Sequence, residues 1–132
     1  MATRSRIGIE NADGTITSIY CHWDGYPDHN GQILIEHYTD EAKIRRLMEL
    51  GDLSVLGPEI GEKHDFNARA DRWCTAYGRD RGEEDVSSMD HEDEAAFLAC
   101  GEEYNYLFRN GEWFVTTDDG FESVKSVLEN LD

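Results

Sequence analysis

The chain has 132 residues, 29 of them acidic and 12 basic, for a formal net charge of −17 at pH 7. One domain is the expectation at this length, and 39% hydrophobic residues, with three Trp, six Tyr and five Phe, argue against disorder. The charge excludes direct binding to a nucleic-acid backbone or an anionic membrane, both of which need Lys and Arg to meet phosphate, and it favours basic protein surfaces or cations.

From the N-terminus, MATRSR lacks an apolar core and no run approaches a membrane span, so neither a signal peptide nor a membrane anchor is expected and the location is read as cytoplasmic. Arg6 to Glu10 alternates apolar and polar residues, Asn11 to Gly14 is a turn signal, and Thr15 to Tyr20 alternates again. This is a β-hairpin. Its second strand should run through Cys21, His22 and Trp23 until Asp24-Gly25-Tyr26-Pro27 breaks it. A helix follows from Gly31 with Ile33, Leu34, His37 and Tyr38 on one face. Thr39-Asp40-Glu41 caps a second, with Ile44, Leu47, Met48 and Leu50 as its stripe and Gly51 as its stop. Asp52 to Gly57 is a link offering Leu53, Val55 and Leu56 to the core.

The polar stretch from Pro58 to Arg72 has no period and reads as loop, Trp73 to Tyr77 as a short strand, and Gly78 to Ser88 as a charged, mobile loop. A helix from His91 to Cys100 should bury Phe97 and Leu98. Tyr104, Tyr106 and Phe108 alternate up to Asn110-Gly111, and Trp113 to Thr117 alternates out of it, a second hairpin. Asp118-Asp119-Gly120 reads as a loop and helix start, and the closing helix carries Phe121, Val124, Val127, Leu128 and Leu131. The predicted architecture is α+β: a mostly antiparallel sheet built from N- and C-terminal hairpins, with helices packed on one face.

The acids are unevenly placed. Residues 1–66 hold 12 acids and 6 bases, residues 67–132 hold 17 and 6. The densest patch is Glu83, Glu84, Asp85, Asp90, Glu92, Asp93 and Glu94, with only His91 as a possible cation. One reading is a solvated loop and helix start; the sharper one is a partner-binding strip whose carboxylates mimic phosphates in a basic groove. Arg79 and Arg81 stand close enough in sequence to pair with it.

Metal and nucleophile chemistry find little support. No segment has the alternating oxygens, central Gly and final Glu of a calcium loop. Cys21, His22, Asp24, His29 and His37 supply zinc-type atoms at ragged spacing, and neighbours on one strand, Cys21 and His22, point to opposite faces. Ser54 lacks a nucleophile elbow, and no phosphate-binding glycine motif occurs. No catalytic residue, metal or cofactor is expected. Cys21, Cys74 and Cys100 have no CxxC spacing and read as reduced, structural thiols. The alternative ligand site is the cluster Tyr20, His22, Trp23, Asp24 and Tyr26 at the hairpin end, where a rigid turn could present aromatic and polar groups.

The stretch SRIGIENADGTITSIYCHWDGYPDHNGQILIEHYTD, with LMELGDLSVLG, AYGRDRGE and EYNYLFRNGEWFV after it, resembles a family of small bacteriophage- and prophage-encoded proteins, most specifically in its YCHWDGYP and GDLS blocks. The resemblance implies expression in the cytoplasm of a host bacterium and brings no catalytic residues with it. By analogy with small acidic phage proteins, the expected function is non-enzymatic inhibition of a host system that handles nucleic acid, of the anti-CRISPR or anti-restriction type, by mimicry. The partner would be the basic surface of a host nucleic-acid-binding protein. A small-ligand or enzymatic domain at the Tyr20–Tyr26 turn and a virion or assembly component are the other readings, the last through an exposed strand edge.

Overall fold

Isoleucines at alternate positions commit one face of the first strand, β1 (Ser5–Glu10), to the core: Ile7 opposes Ile19 of β2 (Ile16–Cys21) in an antiparallel pair. The computed structural model describes residues 2–68, 71–117 and 120–130. The turn joining these strands is closed by Gly14 N–H to Asn11 O (3.0 Å) and Asn11 N–H to Thr15 O (2.8 Å). At the far end of the chain β6 (Tyr104–Arg109) pairs antiparallel with β7 (Glu112–Thr117). Asn110 and Gly111 between them both have positive φ, 53° and 78°, as a two-residue turn of matching twist requires.

The two ends of the chain meet at the centre of the sheet, where β1 runs parallel to β6 with Ile7 beside Tyr106. Outward from β2 lie β3 (Leu53–Val55) and β4 (Thr75–Ala76); outward from β7 lies β8 (Gly120–Ser123). A further strand, β5 (Met89–His91), pairs antiparallel with Ile16, Thr17 and Ser18 of β2. The α+β class and the mostly antiparallel sheet are as expected.

Both faces of this sheet carry helices. The larger core sets Ile7, Ile9, Ile19, Tyr106, Trp113 and Val115 against α1 (Gln32–His37), α2 (Glu41–Leu50) and α5 (Val124–Glu129). Asp40 caps α2 by accepting from Ala42 N–H at 3.1 Å. A π-helical turn at Pro27–Gly31 leads into α1. On the opposite face, α4 (Glu94–Ala99) drops Phe97 onto Ile16 and Leu107. Gly8 makes that approach possible, because a Cβ there would lie 3.0 Å from both Ile16 and Phe97. The expectation of helices on one face is corrected accordingly.

Other expectations shift for similar reasons. His91 is in β5 rather than in a helix, since Asp93 is the residue whose side chain caps α4. Leu98 is 39% exposed, because so short a helix turns only Phe97 inward. Phe121 sits in β8, and α5 begins only after Ser123 caps it. Gly78 to Arg81 belong to a one-turn helix, α3 (Tyr77–Arg81), held by the tertiary bonds of Asp80 given below. His22 and Trp23 lie past the end of β2, yet their N–H groups still donate to Leu53 O and Ser54 O at 3.0 Å. Asp118, Asp119 and Leu131 lie outside the described residues.

Candidate functional site

All seven carboxylates of the predicted strip are exposed. The strip follows the edge of β2: Asp52 N–H donates to Val86 O at 2.8 Å at one end, and β5 pairs with β2 at the other. Four of the seven have intramolecular partners. Glu83 pairs with Arg81, Asp90 accepts from Thr17 Oγ1 (2.7 Å), Asp93 caps α4 through Ala96 N–H (2.9 Å), and Glu94 pairs with Arg109 at 2.8 Å. Glu84, Asp85 and Glu92 form no bond or ion pair among the described residues. Of the two arginines expected to pair here, only Arg81 does; Arg79 turns inward. The cation that meets Glu94, Arg109, comes from the far end of β6 and also holds Glu10 at 3.0 Å.

The inward arginine serves a buried carboxylate. Asp80, with no exposed side-chain surface, accepts from Arg79 Nε (2.9 Å) and from the backbone N–H groups of Ala76 (2.7 Å) and His64 (3.1 Å). Arg79 in turn donates to Ile60 O and Cys74 O, each at 2.8 Å. Burial raises the Asp80 pKa, but the Arg79 bond, the two backbone donors and the guanidinium charge outweigh it and hold the carboxyl below its ordinary value. This knot gives the periodless stretch before β4 its fixed path.

A second buried knot lies under α4. Arg6 Nη1 donates to Ser18 Oγ at 2.9 Å, and Ser18 Oγ is 2.6 Å from His91 Nε2. The hydroxyl accepts from Arg6 and bridges to the His91 ring, so Ser18 ties strand to strand through two side-chain bonds. Burial, then the Arg6 charge, push the His91 pKa down, with Asp90 opposing. Ser18 has no exposed surface, so this Ser–His pair is a clamp holding β5 to the sheet and is closed to substrate.

At the hairpin end, Tyr20 and His22 share a face, with Tyr20 Oη 2.7 Å from His22 Nδ1, and His22 meets the Trp23 ring edge-on at 4.8 Å. Cys21 is fully buried on the other side, its thiol pushed up to about 12 by desolvation, against the Asn30 hydrogen bond. Trp23 and Tyr26 are each 37% exposed, so they do not simply cover the sheet end. Asp24 has φ 58° and accepts from Tyr26 Oη at 3.3 Å.

Of the predicted ligand cluster, Asp24 reaches a cavity. It lines a cleft of about 440 Å³ with His29, Ile33, Leu56, Pro58, Asp71, Arg72 and Trp73, among others. Its far wall is pinned by close approaches: a Cβ on Gly57 would lie 2.6 Å from the Trp73 carbonyl carbon, and one on Gly61 2.4 Å from the Trp73 ring. Glu59 N–H to Arg72 O and Cys74 N–H to Glu59 O, both 2.9 Å, tie the same strands of chain together. Sequence reading missed His29, Asp71, Arg72 and Trp73 as one site. They come from segments that only the fold unites, and the sole local hint is a lone Trp in a polar stretch.

Cys74 is buried as expected, with its sulfur 3.4 Å from Tyr38 Oη, but Cys100 is exposed at the end of α4, which corrects its reading as a structural thiol. No group of three or more His, Cys, Asp or Glu among the described residues is placed to hold a metal ion. No helix among them is long and apolar enough to cross a membrane. No family model matches the chain, and no curated protein or solved structure is significantly similar to it.

Proposed function

We propose that this is a phage- or prophage-encoded acidic binding protein that acts without catalysis, docking its carboxylate strip into the basic groove of a host nucleic-acid-handling protein. The observation that carries this reading is the exposure of all seven acids between Glu83 and Glu94, only two of which are matched by an arginine. Glu84, Asp85 and Glu92 are the unmatched centre of charge, and a field of net −17 steers basic partners toward the surface. An inhibitor of the anti-CRISPR or anti-restriction type is the form this takes in a bacterial cytoplasm.

The test is affinity capture from bacterial lysate at low and high salt, with wild type and an E84Q/D85N/E92Q variant, followed by plating of phage on restricting cells that express either form. A basic nucleic-acid-binding partner, released by salt and lost with the variant, together with plating rescued by wild type alone, is the expected result. Retention of a partner that ignores both salt and the substitutions would sink the reading.

A further inference from the structure

We infer that the cleft between the Asp24–Ile33 segment and the Asp71–Trp73 return is a binding site for a small organic cation, an amine or guanidinium carried on an apolar or aromatic body. Its volume of about 440 Å³ lies in the range of ligand pockets, roughly 300–1,000 Å³. The lining divides by chemistry. Ile33, Leu56 and Pro58 provide apolar wall, and Trp73 provides a ring held in place by Gly61. Asp24 and Asp71 provide carboxylates, and one oxygen of Asp24 is engaged only by the long bond from Tyr26.

His29 adds an acceptor. Asn30 Nδ2 donates to Ser5 Oγ (3.2 Å) and Cys21 Sγ (3.5 Å), so Asn30 Oδ1 is the atom 2.9 Å from His29 Nδ1 and must accept from it. That places a proton on Nδ1, so in the neutral ring Nε2 is the acceptor this cleft residue offers. The one cation in the lining, Arg72, faces Glu59 at 4.0 Å. The cleft is therefore net negative and rich in acceptors, which a cation with several N–H donors satisfies and an anion or plain hydrocarbon does not. A bare metal ion is a poor fit, because no three His, Cys, Asp or Glu among the described residues are placed to hold one.

Backbone conformation singles out the same place. Asp24 (φ 58°) and Arg72 (φ 72°) are two of only four non-glycine residues with positive φ among those described, and both line this cleft. Left-handed backbone at a non-glycine residue persists where surrounding structure over-determines it, as ligand clamps do.

Titration of the full chain with phenethylamine and phenethylguanidine, followed by NMR at the Trp73 indole N–H and the Ile33 methyl groups, tests the assignment. Saturable shifts are expected, with N-acetylphenethylamine, which has no charge, at least about tenfold weaker. D24N and D71N should each weaken binding about fivefold; Asn keeps the left-handed preference at position 24, and the exposed position 71 serves if the first variant misfolds. E84Q/D85N/E92Q should change nothing, which separates this site from the acidic strip. No saturation by about 10 mM, equal binding of the neutral amide, or equal weakening by the strip variant would each overturn the proposal.

Discussion

Asp80 and Asp85 are five positions apart and carry the same side chain, yet they have opposite uses. Asp80 is closed off from water and accepts from a guanidinium and two backbone amides, so its charge is spent on holding the Ile60–Tyr77 region in place. Asp85 stands exposed at φ 60° with no partner among the described residues, and its charge is available to whatever approaches. The acidity that dominates the composition thus splits into a small inward fraction that organises chain and a large outward fraction that projects a field. The dividing line is the number of donors the fold supplies, because a buried carboxylate without them costs several kcal/mol.

The sharpest way to break that contrast is to remove the inward charge. D80A leaves Arg79 buried without its carboxylate and frees two amides, and the expected loss is about 3–5 kcal/mol, read as a large drop in the urea midpoint. Asp80 also predicts an acid limb. Its pKa is held below the ordinary carboxyl value, so its contribution is present above about pH 4 and is lost as the pH falls through the folded-state value. D80N should flatten that limb.

The Arg6–Ser18–His91 knot is the next largest target. S18A removes the hydroxyl that accepts from Arg6 and bonds His91 Nε2, so about 1–3 kcal/mol should go. His91 has a depressed pKa, so its stabilising share is full above about pH 6.5 and declines as the pH falls through the lower folded-state value. The groups facing it are Arg6 and Ser18 from the sheet, Asp90 from its own strand and the Phe97 ring from α4. Urea midpoints at pH 7.5 and 5.5 should differ for wild type and converge in H91Q; an unchanged difference in H91Q would clear His91 of the role.

What could be read from the sequence follows the range of the forces involved. Both hairpins were legible because alternation and Asn-Gly or Asn-Ala-Asp-Gly turns act within about ten residues. The α2 stripe was legible for the same reason, with Ile44, Leu47 and Met48 buried as its period implies. The parallel joining of β1 to β6 was not, since no local pattern says which distant strand Ile7 will face. Nor was α3, a charged turn that becomes helix only because Asp80 finds donors from outside it. The acid strip was legible as composition, but its internal neutralisation by Arg109 was not. At the hairpin end the sequence pointed to the aromatics, while the cleft took Asp24 and gathered the rest from the chain that follows it, from Val55 to Pro58 and from the Asp71–Trp73 return.

The smallest effect on stability falls on the outward charges, and that is where it separates the two classes of acid most cleanly. E84Q/D85N/E92Q removes three carboxylates with no partner among the described residues, and Asn at position 85 tolerates the left-handed backbone that Asp holds there. Surface changes of this kind move stability by no more than about 0.5 kcal/mol, and relief of self-repulsion sets the sign as stabilising. Each rim charge facing a basic partner is worth about 0.5 kcal/mol, so the triple variant should bind roughly tenfold more weakly and with a shallower dependence on salt. D80A pushes the other way, toward lost fold before lost field. A triple variant that unfolds, or one that binds a basic partner as tightly as wild type, would erase the distinction between acids that hold the chain and acids that face outward.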